Sequence, residues 1–351
     1  MANDDLGAAK KAKNDEFYTQ YIDIEKEISA YLDFNPDVFR GKSLLLPCDD
    51  PEWSNFTKYF AQNFERLGLK KLVSTSYAPN SKPKEIFYQP TLFESESPKF
   101  DKSKTIQNGK IFTLEADQKG SGKVNVDNLK WEYLIGDGDF RSEEVNKIRD
   151  ESDIIITNPP FSLFREHFLP WLVDARKDFL ILGNMNAITY KEVFPLIKDN
   201  KMWLGATRTG VGFMWFEVTQ NAPNKTGQRV ENGKRFQTIG NSAWFTTLDH
   251  GRRHQPLQLM SLEDNKKYSK HKEIKDSGYQ HYENYDAIDV PFVDAIPNDF
   301  SGEMGVPITF LGKHNPDQFE IVKFRHGNDG KDLRLPGGKT PYFRIVIRPV
   351  K

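Results

Sequence analysis

Cysteine is nearly absent: Cys48 stands alone among 351 residues. A single thiol excludes an intrachain disulfide and a cysteine-rich zinc site, and it fits a reducing compartment. Long apolar runs are missing as well. No stretch of about 18 apolar residues is present to span a bilayer, and the start carries no charged-then-apolar leader, so a soluble, cytoplasmic protein is expected. Net charge is almost nil, 49 Lys and Arg against 50 Asp and Glu, so total charge names no partner. What is present argues for a folded chain. Hydrophobic residues at 37% and aromatics at 13% exceed what a disordered chain carries, and the length suits two domains or one enlarged by insertions.

The neutral total hides a regional asymmetry. Residues 201–275 hold 13 Lys and Arg against 6 Asp and Glu, and residues 323–351 hold 8 against 2, so the remainder carries the compensating negative charge. Such a distribution can make the cationic face that a polyanion requires, although scattered solvated lysines would give the same counts.

The polar residues 1–13 are expected to be disordered. From Asn14, short apolar runs alternate with longer helical patterns, the rhythm of a mostly parallel α/β sheet. Strands are expected at Ser43–Pro47, Lys71–Thr75, Tyr133–Ile135, Asp153–Thr157 and Phe179–Leu182. Phe56, Tyr59, Phe60, Phe64 and Leu67 recur at helical spacing, with Asp50 as the expected N-cap and Pro51 in the first turn. A second helix is expected from Leu163 to Val173. Residues 79–130 read as an insertion with at most a hairpin near Ile111–Leu114. A catalytic domain is therefore expected over 14–200. A basic, β-rich region covers 201–351, with strands that can return to the catalytic sheet.

Asp153-Ile154-Ile155-Ile156-Thr157-Asn158-Pro159-Pro160-Phe161 carries the most chemistry. A buried parallel strand ends there, and in open α/β sheets ligands bind at that edge. Two prolines stiffen the turn and remove backbone donors, leaving carbonyls to accept. Asn158 adds an amide oxygen and Phe161 a flat ring. The set suits an exocyclic amine on a planar ring: its protons go to the Asn158 oxygen and the Pro159 carbonyl while Phe161 stacks on the base. An aromatic amine is a weak nucleophile, and two fixed acceptors would aim its lone pair at an electrophile held in line. The plainer alternative is a proline-terminated strand with Phe161 in the core.

Asn158-Pro159-Pro160-Phe161 resembles the motif of amino-group methyltransferases that use S-adenosylmethionine. Other blocks narrow the likeness. Asn14–Gln20, Cys48–Phe56, Asp139–Glu144, Gly183–Tyr190, Trp244–His250 and Met304–Phe310, in that order, are similar to the EcoRI-type adenine-specific DNA methyltransferases, from about Asn14 to about Phe324. The resemblance implies a Rossmann-like methyltransferase sheet with a C-terminal target-recognition region. It also implies methyl transfer to adenine N6 in duplex DNA, with the catalytic set Asn158, Pro159, Pro160 and Phe161. By the same likeness Phe17, Tyr18, Thr19, Pro47, Cys48, Asp49, Asp50, Asp139 and Phe140 would bind the cofactor. Within that set Asp139 would hydrogen-bond the cofactor's adenine and Phe140 pack against it. Two features depart from the usual pattern. Pro47-Cys48-Asp49-Asp50-Pro51 has no glycine where a glycine-rich loop is usual, and Ser74-Thr75-Ser76-Tyr77 offers no acid for the ribose.

An adenine in duplex DNA must leave the stack before it can be methylated. Arg208, Arg229, Lys234, Arg235, Arg252, Arg253 and His254 are the candidate DNA contacts, with the run Arg252-Arg253-His254 favoured. His250, His254, His271 and His281 show no metal-ligand spacing, and the chemistry calls for no metal. Pairing with a restriction endonuclease and life as an unpartnered methylase both stay open. So do an RNA or other amino-group methyltransferase and a non-catalytic DNA-binding module that keeps the fold.

Overall fold

A computed structural model describes residues 18–52, 54–78, 101–116, 131–160, 163–207, 214–218, 227–238 and 242–350. Two compact units emerge, one from residues up to Ala187 together with Thr207–Leu248, the other from Ile188–Ala206 and Asp249 onward. The strands, in chain order, begin with β1 (Tyr18–Thr19), β2 (Ser43–Leu46), β3 (Lys71–Thr75), β4 (Lys110–Glu115), β5 (Trp131–Tyr133), β6 (Ile154–Thr157) and β7 (Asp178–Asn184). They continue with β8 (Trp203–Leu204), β9 (Phe216–Val218), β10 (Gln228–Glu231), β11 (Lys234–Gln237) and β12 (Ser242–Thr246). The last are β13 (Gln280–His281), β14 (Ile288–Asp289), β15 (Met304–Pro307), β16 (Phe319–Phe324) and β17 (Arg344–Pro349).

In the first unit seven strands pair in the order β5-β4-β3-β2-β6-β7-β12. The central four are parallel, Leu45 lying beside both Val73 and Ile155, while β4 and β12 run antiparallel to them at the sides and β5 pairs antiparallel with β4. The parallel strands were legible as continuous apolar runs because both faces are covered. Leu44, Leu46, Ile154, Ile156, Leu180 and Leu182 join the core against α1 (Tyr21–Phe34) and α2 (Asn55–Gln62). Leu45, Ile155 and Ile181, of opposite parity, are equally buried. Each such side chain is worth about 1.5–3 kcal/mol of transfer free energy. Gly183 in β7 is a packing requirement, since a Cβ there would lie 2.5 Å from the Phe164 ring.

Several expectations need correction. The strand expected at Tyr133–Ile135 is displaced to Trp131–Tyr133, and Ile135 lies in an exposed bend. Helix α2 is capped by Ser54, whose hydroxyl accepts from the Phe56 N–H, and not by Asp50. Asp50 instead holds the preceding turn through the Glu52 N–H. The insertion contains α3 (Lys102–Gln107) and the β4–β5 pairing; residues 79–100 and 117–130 lie outside the described residues. The helix expected at Leu163–Val173 is split. Pro170 has no N–H to give the Glu166 carbonyl, and the Leu169 N–H reaches five residues back to Phe164. A widened turn at Phe164–Phe168 therefore precedes the regular helix Leu169–Asp174. The compact division does not fall at residue 200. β12 returns to pair along β7, Trp244 opposite Leu182, while Ile188–Ala206 joins the second unit.

A smaller sheet in the first unit has the order β1-β9-β11-β10, with Thr19 opposite Phe216. The second unit is built on a five-stranded mixed sheet, β13-β14-β15-β17-β16. Its core includes Tyr282, Ala287, Leu333, Leu335 and Val346. Among the described residues no helix is long and apolar enough to cross a membrane.

Candidate active site

Strand order reverses beside β2: the chain goes from β2 outward to β3 on one side, then returns to β6 on the other. In an open sheet this switch point leaves a crevice at the carboxyl ends of the two strands. Those ends carry Pro47-Cys48-Asp49-Asp50 and Asn158-Pro159-Pro160, the two segments singled out by sequence. Both are anchored from below, where the Asp153 carboxylate accepts the Ser43 N–H across the strand starts.

Asp49 is buried at the head of β2. One of its oxygens accepts the Ser54 hydroxyl at 2.6 Å, the other the Thr157 hydroxyl at 2.5 Å. Its carbonyl accepts the Ser74 hydroxyl, and its N–H donates to the Thr75 carbonyl. Thr75 in turn donates its hydroxyl to the Pro47 carbonyl at 3.2 Å. Desolvation pushes the Asp49 carboxyl from 3.8 up to about 7, against the lowering by Ser54 and Thr157. Burial, and then the Asp49 carboxylate, also push the Cys48 thiol up, so Cys48 stays protonated.

The pH consequence has a definite sign. A carboxyl whose folded pKa lies above its unfolded one binds the extra proton in the native state. Asp49 therefore favours folding below about pH 4, and its contribution is lost as pH rises towards about 7. Urea unfolding at pH 5 and pH 8 should show a larger loss of stability for the parent than for Asp49→Asn. Equal losses would remove Asp49 as the titrating group.

Asn158 is half-buried, and its amide nitrogen donates to the Thr19 hydroxyl at 3.3 Å. The Thr19 carbonyl accepts the Asn55 side-chain amide at 2.8 Å. Thr157, Ser54 and Asn55 were not among the sequence candidates. The signal for Ser54 and Asn55 was present in the polar run that follows the β2 loop, but helix capping gives Ser and Asn the same look, and Thr157 reads as the last β-former of β6. Glu52 ties this loop to the far side of the sheet by accepting from Trp131 Nε1 at 2.9 Å and from the buried Lys110 ammonium.

Beyond β5, Gly138 (φ 79°) makes a close backbone approach, for a Cβ there would sit 2.1 Å from the Ser76 carbonyl oxygen. The Ala78 N–H bonds the Asp137 carbonyl, holding the loop against the end of β3. Asp139 follows, its carboxylate taken bidentately by Arg141 at 2.9 and 3.1 Å. Phe140 is only 5% exposed, its ring against Phe168 and Trp171 at 5.1 and 5.3 Å. In this arrangement Asp139 answers an arginine and Phe140 an aromatic core. Tyr18 is described only as strand backbone, while Phe17 and Phe161 lie outside the described residues.

The candidate DNA contacts separate into two groups. Arg229, Lys234 and Arg235 are on the β10–β11 ribbon, whose turn is Asn232-Gly233. Arg229 lies over Trp215 at 4.5 Å, and Lys234 pairs with Glu217 at 2.9 Å. In the favoured run Arg252-Arg253-His254 each side chain has a partner within the second unit. Arg253 is 7% exposed, stacked on Trp203 at 3.6 Å and paired with Asp249. His254 bridges Asp249 and Asp317, whose carboxylates raise its pKa. Arg252 donates to the Ala206 carbonyl. Arg208 lies outside the described residues. Among the described residues no group of three His, Cys, Asp or Glu could hold a metal ion.

Comparison with known proteins gives a consistent picture. The profile of the family described as "Adenine-specific methyltransferase EcoRI" matches residues 5–349. The chain is 45% identical over 345 residues to the type II methyltransferase M.EcoRI of Escherichia coli, covering 98% of this chain and 95% of that one. It is 33% identical over 363 residues to the type II methyltransferase M.MpnI of Mycoplasma pneumoniae, covering 97% and 96%. The type II methyltransferase M.MgeORF184P of Mycoplasma genitalium is also 33% identical, with 97% of each chain covered. No solved structure matches.

Proposed function

The chain belongs to the EcoRI-type adenine-specific methyltransferases, and from that premise we propose that it methylates the N6 amine of an adenine swung out of duplex DNA, using S-adenosylmethionine. The relatives' designation as type II methyltransferases supports a role in restriction–modification. The observation that carries the reading is Asn158-Pro159-Pro160 at the switch point, facing the β2 loop.

The donor set at this edge fits the cofactor. Asp49 and Asp50 follow β2, Asp137 and Asp139 follow β5, and no glycine-rich cradle of N–H groups is present at the β2 loop to hold a phosphate. Carboxylates suit the ammonium and sulfonium of S-adenosylmethionine and would repel a phosphorylated cofactor. When bound, S-adenosylmethionine supplies a methyl group already electrophilic on its sulfonium. Asp49 or Asp50 would take the ammonium. The Asn158 oxygen and the Pro159 carbonyl would accept the two amine protons, orienting the lone pair. The sequence likeness gives Phe161 the role of stacking on the base, offsetting part of the few kcal/mol that extrusion costs. The first unit would then hold the chemistry. The exposed β10–β11 ribbon, with Arg229, Lys234 and Arg235, and the second unit would take up DNA. Such an enzyme would work in the cytoplasm beside the chromosome.

DNA from a methylation-free bacterial host that expresses the protein tests this directly. Sequencing that detects modified bases should find N6-methyladenine at one recurrent short motif. An unmodified genome, or methylcytosine in place of methyladenine, would overturn the reading.

A further inference from the structure

Four hydrogen bonds around Asn158 close into a circuit. Thr157 donates to one oxygen of Asp49 and Ser54 to the other; Asn55, next in the chain, donates to the Thr19 carbonyl; and Asn158 donates to the Thr19 hydroxyl. Asn158 follows Thr157, which completes the ring. Three segments far apart in sequence, the end of β1, the loop after β2 and the end of β6, are thus tied around one side chain. Thr19, Asp49, Ser54 and Thr157 are all buried.

We propose that Thr19 and Thr157 are positioning residues for Asn158, an inference that rests on the catalytic reading above. A primary amide is nearly symmetric in shape, but its two ends have opposite hydrogen-bonding sense. Only the oxygen end can receive an amine proton. Thr19, by accepting from the nitrogen, directs the oxygen to the opposite edge of the planar amide. Thr157 acts on the backbone: its bond to the buried Asp49 pins the last residue of β6 and so the base of the Asn158 side chain. Asp49 is thereby engaged in holding the Asn158 turn, whatever else it touches. An error of about 1 Å in such a group costs about a hundredfold in rate, so the threonines should register in turnover.

The measurements are single-turnover methylation of a DNA duplex and equilibrium binding of S-adenosylmethionine, made on the full chain. Thr19→Val keeps the shape and deletes the hydroxyl. It should lower the rate between about tenfold and about a hundredfold, with cofactor affinity little changed, and Thr19→Ser should recover most of the loss. In an Asn158→Ala background Thr19→Val should cost nothing more, because a residue acting through another has no effect once that partner is gone. Thr157→Ser should resemble the parent, while Thr157→Val should repeat the Thr19→Val pattern if its melting curve shows it folded.

An unchanged Thr19→Val rate would overturn the proposal. So would a loss expressed wholly as weaker cofactor binding, or an equal loss with and without Asn158. Full activity in Asn158→Ala alone would instead sink the catalytic assignment, so the two failures are separable.

Discussion

Asn158→Ala is expected to reduce methyl transfer by about 10²-fold to about 10³-fold while leaving S-adenosylmethionine binding little changed. The scale is that of removing one preorganised polar contact aimed at a developing charge. The residue is suited to that role by position. It is half-buried at the carboxyl end of β6, its nitrogen held by Thr19, directly after a threonine bound to Asp49. Because Asn158 terminates the strand and sits outside the layer of Leu44, Ile154 and Ile156, its truncation should leave thermal stability near the parent's. Rate and affinity must be measured separately. A loss of both in proportion would mark a ground-state binding residue, and a rate near that of the parent would show that the amide oxygen takes no part.

The second large effect concerns the fold of the second unit. Asp289 in β14 and Arg344 in β17 form an ion pair at 2.7 Å, and Tyr282 donates its hydroxyl to the same carboxylate at 2.5 Å. All three are less than 10% exposed, at 5%, 9% and 5%. Desolvation, then the Asp289 charge, push the Tyr282 phenol up, so it remains a donor. Removing one member leaves the others' polar atoms buried without their partner, so Asp289→Ala should cost about 3–5 kcal/mol. Joint replacement by Asp289→Leu and Arg344→Met removes both charges and should be far milder, since burying an ion pair already costs much of its own attraction. Urea unfolding followed by circular dichroism distinguishes these. If the single replacement were no worse than the double, the pair would contribute no more than a solvent-exposed ion pair does.

The parallel core was readable because such strands must be apolar on both faces, as Ile154-Ile155-Ile156 shows. The Asn-Pro-Pro turn was readable because prolines leave few alternatives at the end of a buried strand. Arg253 shows the limit. As a sequence symbol it is one of a basic run, but in space Trp203, Asp249 and Asn200 occupy it. Phe140 behaves likewise, an aromatic beside an acid whose neighbours Phe168 and Trp171 come from the helical segment after β6. β12 rejoined the sheet through a ladder to β7 that local pattern cannot specify.

The succession of parallel core strands along the chain, the acidic β2 loop and the stiff Asn-Pro-Pro turn were thus determined by the chain alone, since periodicity, turn stiffness and functional-group identity are local properties. Only the tertiary structure decided what Asp49, Thr157 and Thr19 do. Their partners lie 108 and 139 positions away along the chain, and a hydrogen bond is a relation of distance and angle that no single residue carries.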